Sequence, residues 1–355
     1  MSEKVLMKGN EALAEAAIRA GCRLFFGYPI TPQTELAAYM SKRMPKEDGL
    51  FLQAESEVAA INMVFGAAGA GARVMTSSSS PGVSLKQEGI SYIAAADLPC
   101  VVVNIVRAGP GLGGIQPAQG DYFQATKGGG HGDYRMVVLA PSSVQEMVAL
   151  TYEAFDIADI YRMPVMIMGD GMLGQMMEPV EFGVVKTRAV PEKTWATTGT
   201  GMNRKKNITN SLYIEPEVLE KIITEREVRY NEIMEKETKC EMTYMEDADY
   251  AIVAYGIVAR VAKTAAEKLR EKGIKAGIIR PITLWPFPTK QIQETVINTK
   301  AYLSVEMSRG QMVEDVRLAV NGAKPVHFFG RTGGFVPSAD EICVEIEKIA
   351  GGVCK

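Results

Sequence analysis

Short apolar segments recur at helix-length intervals in this 355-residue chain. Residues 22–26, 99–106 and 164–168 are three such segments, and stretches with helical periodicity separate them. Because these segments are apolar on both sides of a strand, both faces of the sheet must be covered. The pattern predicts an α/β fold in which helices cover a parallel sheet.

The alternation divides the chain into three parts. Residues 1–182 form a first α/β region, and residues 183–245 interrupt its rhythm with a polar loop and a charged helix predicted over 216–239. That helix has only a thin apolar stripe, which suits a connector with one packed helix. The alternation resumes at residue 246, so we predict a second, smaller α/β domain over 246–355.

Charge and hydropathy exclude several classes of function. The formal net charge of -3 gives no broad basic surface for nucleic acid. Charged residues near the N-terminus interrupt the apolar core that a signal peptide needs. No apolar run approaches the roughly 20 residues that span a bilayer. We therefore expect a cytoplasmic protein that binds neither nucleic acid nor membrane.

The cysteines and histidines do not predict a metal or iron–sulfur site in this chain. The five cysteines form no Cys-x-x-Cys pair, and only two histidines are present. Cys22 and Cys100 adjoin apolar strands, so we predict that both are buried thiols. If the protein takes part in electron transfer, the electron carriers belong to another chain.

The first candidate for chemistry is Thr31, in Gly-Tyr-Pro-Ile-Thr-Pro at 27–32. Ligands of open parallel sheets bind at the carboxyl ends of the strands, where this segment lies. Thr31 followed by Pro32 is also a favoured helix start, so Thr31 is predicted to be an N-cap. Both roles are compatible, because a helix N-terminus is an anion site.

The second candidate is Glu57, in Glu-Ser-Glu-Val-Ala-Ala at 55–60. Acidic residues are common in the first turn of a helix because of the helix dipole, so Glu55 and Glu57 have an ordinary explanation. The small and apolar residues after Glu57 indicate instead that its carboxyl is buried. A buried carboxyl could share a proton with a cofactor nitrogen.

The third candidate is Arg107, which ends the apolar run 101–106 and precedes a glycine-rich loop. An arginine at a strand end can simply reach water. The loop has few side chains, however, so a ligand can approach closely, and a guanidinium matches a carboxylate in a bidentate manner. The serine run at 77–80 is a weaker signal, since Ser80 before Pro81 is explained by helix capping.

Gly-Asp-Gly at 169–171 resembles the opening of a thiamine diphosphate–magnesium motif. That motif needs an asparagine pair some 25 to 30 residues later, which is missing here. Since a metal held through diphosphate needs more than one protein oxygen, we reject the motif in this chain. We predict that the diphosphate binds elsewhere.

Four segments in their order resemble the α subunit of 2-oxoacid:ferredoxin oxidoreductases, and the 2-oxoisovalerate (3-methyl-2-oxobutanoate) type is the most similar. They are Gly-Tyr-Pro-Ile-Thr-Pro at 27–32, Glu-Ser-Glu-x-Ala-Ala at 55–60, Ser-Ser-Pro-Gly at 79–82 and Arg-Ala-Gly-Pro at 107–110. The resemblance implies a thiamine-enzyme pyrimidine-binding domain followed by a transketolase C-terminal-like domain, whose usual role is assembly. Ser79 departs from the glycine that many members carry.

The resemblance also implies a division of labour between subunits. Glu57 would bond N1′ of the aminopyrimidine of thiamine diphosphate, and Pro29, Ser79 and Ser80 would line the cofactor site. Thr31 and Arg107 match positions that hold the substrate's oxo and carboxylate groups. A β subunit would carry the diphosphate, Mg²⁺ and a [4Fe-4S] cluster, γ and ferredoxin-like subunits would complete the assembly, and coenzyme A would accept the acyl group.

The substrate and two other functions stay open. A dicarboxylate such as 2-oxoglutarate would need a second cation, for which Lys127 and His131 are candidates beside their simpler reading as solvated loop residues. We favour an apolar, branched-chain 2-oxoacid. A self-contained thiamine enzyme is disfavoured by the missing diphosphate motif, and a non-catalytic α/β scaffold is the remaining alternative.

Overall fold

The computed structural model describes residues 4–183 and 188–351. Its strands form a seven-stranded sheet, a five-stranded sheet and a two-stranded ribbon. The strands are β1 (Val5–Lys8), β2 (Leu24–Gly27), β3 (Leu50–Gln53), β4 (Val74–Ser78), β5 (Cys100–Val106), β6 (Val137–Leu139), β7 (Pro164–Asp170), β8 (Met177–Val180), β9 (Cys240–Thr243), β10 (Tyr250–Val253), β11 (Ala276–Pro281), β12 (Thr283–Trp285), β13 (Ala301–Glu306) and β14 (Val326–Gly330).

Helices connect most of these strands and cover both sheets. They are α1 (Gly9–Arg19), α2 (Thr34–Arg43), α3 (Glu57–Gly69), α4 (Pro81–Ala95), α5 (Tyr122–Thr126), α6 (Val144–Tyr161), α7 (Gly171–Gln175), α8 (Pro216–Lys236), α9 (Gly256–Glu271), α10 (Thr289–Thr295), α11 (Met312–Val320) and α12 (Ala339–Ala350). Within the described ranges, no helix has the length and apolar character that crossing a membrane requires.

The larger sheet has the order β12-β6-β7-β5-β4-β2-β3. The strands from β6 to β3 are all parallel, as predicted. Its central strands β5 and β7 are buried along their whole length, because helices lie on both faces. One face packs against α1, α2 and α6, and the other against α3 and α4. Cys22 and Cys100 lie in this core as predicted, and burial raises the pKa of each thiol to about 12.

The smaller sheet has the order β14-β13-β10-β11-β9. Its four strands from the C-terminal part are parallel, which confirms a second α/β unit. Its edge strand β9 pairs antiparallel with β11, although β9 lies in the range 183–245 that the sequence suggested as a connector. Helix α8 in the same range buries Arg226, Tyr230 and Ile233, which agrees with the thin stripe predicted for it.

Strand β12 joins the two units. It follows β11 directly in the chain, but it pairs antiparallel with β6 at the edge of the larger sheet. The bidentate pair between Arg280 of β11 and Glu146 of α6, at 2.6 and 2.9 Å, adds a polar contact at the same junction. The C-terminal unit is therefore fixed against the larger sheet by a strand and by an ion pair.

Candidate active site

The predicted site residues follow three neighbouring strands. β5, β4 and β2 are adjacent in the larger sheet, and their carboxyl ends lead into Arg107, the serine run and the 28–33 loop, respectively. Helix α3 begins after β3, the next strand along. Parallel strands end at the same edge of a sheet, so the fold brings these segments to one side.

Glu57 is the first residue of α3, and the Ser56 hydroxyl caps the helix by accepting from the Ala59 amide at 3.2 Å. Capping fixes where the helix begins and therefore where Glu57 points. The Glu57 residue is only 7% exposed. Within residues 4–183 and 188–351, no side-chain hydrogen bond satisfies its carboxyl. A buried carboxyl without a partner is available to a ligand.

Glycine 82 allows α4 to approach this carboxyl closely. A Cβ atom at Gly82 would lie 2.6 Å from Oε1 of Glu57 and 2.1 Å from the Ser78 hydroxyl. The hydroxyls of Ser78 and Ser79 are buried and have no hydrogen-bond partner among the residues that the structure describes. Ser78 thus supplies an unpaired hydroxyl close to the Glu57 carboxyl, and Ser79 supplies a second one in the same run. Unpaired polar groups are unusual in a protein interior.

The side chain of Arg107 contacts the backbone of Thr31. Nη1 of Arg107 donates to the Thr31 carbonyl at 3.0 Å and Nη2 to the Leu112 carbonyl at 2.9 Å. The buried Nε has no partner within residues 4–183 and 188–351. The prediction that Thr31 is a helix N-cap is wrong, because α2 starts at Thr34 with Gln33 before it. Thr31 precedes the helix, and its carbonyl accepts the hydrogen bond from Arg107. Thr31 is exposed.

Ser80 precedes α4 as predicted, but its hydroxyl does not cap the helix. The hydroxyl instead accepts from the Arg107 amide at 3.0 Å and donates to Oδ2 of Asp121 at 2.7 Å. The φ of +26° at Ser80 is a strained conformation that this network holds in place. Burial raises the pKa of Asp121, against the hydrogen bonds from Ser80 and Asn104.

Asp121 and its partner Asn104 were not predicted from the sequence. Nδ2 of Asn104 donates to Oδ2 of Asp121 at 2.9 Å, and its Oδ1 accepts from the Ser80 amide at 3.0 Å. Asn104 interrupts the apolar run of β5, and an amide in the middle of a buried strand needs partners. Asn104 was therefore the residue from which a hydrogen-bond network at the end of β5 could have been predicted.

A cavity of about 600 Å³ lies between the two α/β units beside this network. Its walls include Ser80, Ala108 and Asp121 from the first unit, and Ser308 and Arg309 from the second. Pro29 lines a different cavity, of about 220 Å³, with residues of β2, β3 and α2. Among the predicted site residues, Ser80 is therefore the one that lines the larger cavity. Arg107 directly precedes Ala108, which also lines that cavity.

Neither Lys127 nor His131 lines that cavity. The ammonium of Lys127 pairs with Asp315 of α11, and His131 is exposed in a loop.

Asp170 caps α7 by accepting from the amides of Met172 and Leu173, and burial raises its pKa to about 6. In the part of the chain that the structure describes, no three His, Cys, Asp or Glu residues form a group that could hold a metal ion.

Two family models match the chain. "Pyruvate flavodoxin/ferredoxin oxidoreductase, thiamine diP-bdg" matches residues 15–252, and "Pyruvate:ferredoxin oxidoreductase core domain II" matches residues 248–342. The parallel sheet and the first match define the class: the chain contains a thiamine diphosphate-binding domain. The chain belongs to the 2-oxoacid:ferredoxin oxidoreductase family, and its resemblance to that family is confirmed.

Relatives and solved structures agree with this result. A ketoisovalerate oxidoreductase subunit, VorB, from Methanothermobacter thermautotrophicus is 49% identical, and the match covers 98% of both chains. The structure of 2-oxoglutarate:ferredoxin oxidoreductase from Magnetococcus marinus, with 2-oxoglutarate, coenzyme A and succinyl-CoA bound, is 27% identical with a TM-score of 0.89. That match covers 98% of this chain and 65% of the other. A split gene transketolase, at 17% identity and a TM-score of 0.61 over 96% and 97% of the two chains, shares the fold.

Proposed function

We propose that this chain supplies the thiamine-activating half of a 2-oxoacid:ferredoxin oxidoreductase. The observation that carries the proposal is the buried carboxyl of Glu57, which has no hydrogen bond of its own among the described residues and lies in a thiamine diphosphate-binding domain. The shared fold of both α/β units and the 49% identity to a ketoisovalerate oxidoreductase subunit support the same assignment.

The residues around Glu57 fit the aminopyrimidine of thiamine diphosphate. The Glu57 carboxyl would hold or release one proton at ring nitrogen N1′, and the unpaired hydroxyls of Ser78 and Ser79 would bond polar ring atoms. Gly82 leaves space next to the carboxyl that a Cβ would fill. In our proposal Ser80, which lines the cavity between the two units, and Pro29, which lines the smaller cavity, also contact the cofactor. When bound, the cofactor supplies an electron sink for decarboxylation of a 2-oxoacid.

Arg107 is proposed to bind the substrate carboxylate. Two backbone carbonyls orient its guanidinium and use two of its five N–H donors, and Nε has no partner among the described residues, so donors remain for a carboxylate. A charge-assisted hydrogen bond from an oriented guanidinium is strong and directional. Thr31 lies at the other end of one of these bonds, where its hydroxyl would bind the substrate's 2-oxo oxygen.

We propose an apolar, branched-chain 2-oxoacid such as 2-oxoisovalerate as the substrate, with coenzyme A as the acyl acceptor. The relative from Methanothermobacter thermautotrophicus carries that specificity in its name. A dicarboxylate needs a second cation, and Lys127, one of the two candidates from the sequence, is already paired with Asp315. The ratio of kcat/KM for 2-oxoisovalerate to that for 2-oxoglutarate measures this preference. A ratio below one would favour the 2-oxoglutarate alternative.

The remaining chemistry is assigned to partner subunits in the cytoplasm. The described residues hold no metal-binding group of three ligands, and Asp170 of Gly-Asp-Gly serves as a helix cap. We therefore assign the diphosphate, its Mg²⁺ and the [4Fe-4S] cluster to a β subunit. γ and ferredoxin-like subunits would complete the path by which electrons reach ferredoxin.

Titration with thiamine diphosphate tests the proposal directly. Calorimetry is performed on this chain alone, on the purified β subunit alone and on their complex. Tight, Mg²⁺-dependent binding that appears only in the complex supports a shared cofactor. Equally tight binding to this chain alone would support a self-contained thiamine enzyme, and absence of binding by the complex would support a scaffold.

A further inference from the structure

Lys86 of α4 is a lysine wholly removed from solvent next to the proposed cofactor site. A lysine ammonium is seldom buried without a counter-charge, because desolvation of an ion is unfavourable. Its one hydrogen-bond partner in the described ranges is the Thr76 hydroxyl of β4, at 2.9 Å. A neutral hydroxyl does not balance the charge, so the position of Lys86 needs a further explanation.

The packing of α3 on α4 shows which charged group lies on the same side of α4 as Lys86. A Cβ at Gly82 would meet the Glu57 carboxyl, and a Cβ at Gly89 would meet Ile61 at 2.4 Å. Gly82 and Gly89 are seven residues apart, so both lie on one face of α4. Glu57 and Ile61 are four residues apart, so both lie on one face of α3. Lys86 lies between the two glycines on the same face. The face of α4 that approaches Glu57 is therefore the face that carries Lys86.

Other charged groups around Lys86 are few. Among the residues of α3, β4 and β7, the titratable ones are Glu57 and Asp170, and Asp170 bonds to backbone amides of α7. On α4 itself, Glu88 is exposed and accepts from the Tyr92 hydroxyl. Burial lowers the pKa of Lys86 to about 8, against the attraction of Glu57. Lys86 is therefore still mainly a cation at neutral pH.

We propose that Lys86 is a positioning residue for the proposed thiamine chemistry: its buried ammonium is the counter-charge of the Glu57 carboxyl. This inference rests on the proposed function of Glu57. In this proposal Lys86 acts through Glu57 and not on the cofactor or the substrate. Because a nearby cation favours the charged form of a carboxyl, its removal lets Glu57 retain a proton at higher pH.

The test compares the assembled wild-type enzyme with Lys86→Met, which has a similar volume without the charge. The acid limb of the kcat/KM profile for the 2-oxoacid should move to higher pH by about one unit, a tenfold loss on that limb. Thr76→Val removes the hydroxyl but leaves both charges, so its acid limb should stay in place. Lys86→Arg should return the limb toward that of the wild type. An unmoved limb in Lys86→Met would overturn the inference.

A thermal-stability cycle separates this inference from the proposed function. Lys86→Met, Glu57→Gln and the double variant are melted as the purified chain, which requires no catalysis. Coupling between the two positions, seen as a Tm change for Lys86→Met that depends on Glu57, supports the pairing. Additive Tm changes contradict it. If Glu57→Gln turned over normally, the proposed function would fail, and the cycle alone would decide whether the pair exists.

Discussion

The hydroxyl of Tyr122 donates to Oδ2 of Asp315 at 2.5 Å, and so links α5 of the first unit to α11 of the second. Both residues are buried, and Lys127 pairs with the same carboxylate. Hydrogen bonds to charged groups contribute about 1.5–3 kcal/mol. Tyr122→Phe should lower the free energy of unfolding by that amount in urea denaturation. Tyr92→Phe, which removes a hydroxyl bonded to exposed Glu88, is the control and should have little effect. Equal losses in the two variants would contradict the assignment.

Replacement of Glu57 tests the proposed acid–base group. Glu57→Gln keeps the shape of the side chain but cannot exchange the proton, so decarboxylation by the assembled enzyme should fall by about 10²–10⁴-fold. Size-exclusion chromatography should show that the complex still forms. Glu55→Gln changes an exposed carboxyl two residues earlier and should retain wild-type turnover. Normal activity of Glu57→Gln would refute the site.

Arg107 is expected to act in substrate capture. In Arg107→Ala the substrate carboxylate loses a charge-assisted hydrogen bond, so KM for the 2-oxoacid should rise about 10–100-fold, the equivalent of about 1.5–3 kcal/mol. Arg317→Ala on the exposed side of α11 is the matched control. Steady-state kinetics of the assembled enzyme measure both variants. A KM that does not change in Arg107→Ala would remove Arg107 from the substrate site.

Glycine 82 should be intolerant of a methyl group. The added Cβ in Gly82→Ala would displace the Ser78 hydroxyl or the Glu57 carboxyl, so stability should fall by about 1–3 kcal/mol and kcat should fall as well. Gly66→Ala on α3 is the control, because none of the described residues outside its own helix turn lies within 4 Å of the added Cβ. It should stabilise the helix by roughly 0.5–1 kcal/mol. Melting curves and turnover of both variants check the contrast. A fully active, stable Gly82→Ala would show that the approach of α4 is not critical.

The pair of Glu146 and Arg280 predicts a pH dependence of stability. Burial alone would raise the pKa of Glu146, but hydrogen bonds and charge from Arg280 outweigh it and hold the pKa below its ordinary 4.5. The contribution is therefore full above pH 4.5 and is lost as pH falls through the lowered pKa. Glu146→Gln should be less stable than wild type by about 2 kcal/mol at pH 7, and the difference should shrink below pH 4.5. Urea unfolding from pH 3 to 7 measures this, with exposed Glu232→Gln as the control. A difference that does not vary with pH would contradict it.

The sequence predicted the elements whose residues are apolar throughout. Strands β5 and β7 lie within two residues of their predicted bounds, because both are buried along their whole length and the apolar pattern is unambiguous. The ribbon of β1 and β8 was not predicted. It is half exposed, and its pairing joins segments more than 160 residues apart, which local periodicity cannot indicate.

The site was predictable only in part. Glu57, Arg107 and the serine run stand at strand ends or helix starts, so their general location followed from the strand pattern. Lys86 was not predicted, because a single lysine in a helix does not indicate that neighbouring elements bury its side chain. Thr31 was assigned as a cap, since the rule for Thr-Pro is local, whereas the Arg107 side chain that bonds the Thr31 carbonyl is 76 residues away.

Strand β12 has a consequence for synthesis on the ribosome. Residues 1–182 emerge first, but the strand that completes their sheet is made about a hundred residues later. Until then β6 is an open edge with unpaired backbone groups, the kind of surface at which nascent chains associate wrongly. Expression of residues 1–182 alone leaves this edge open and should therefore yield more aggregate than expression of the full chain.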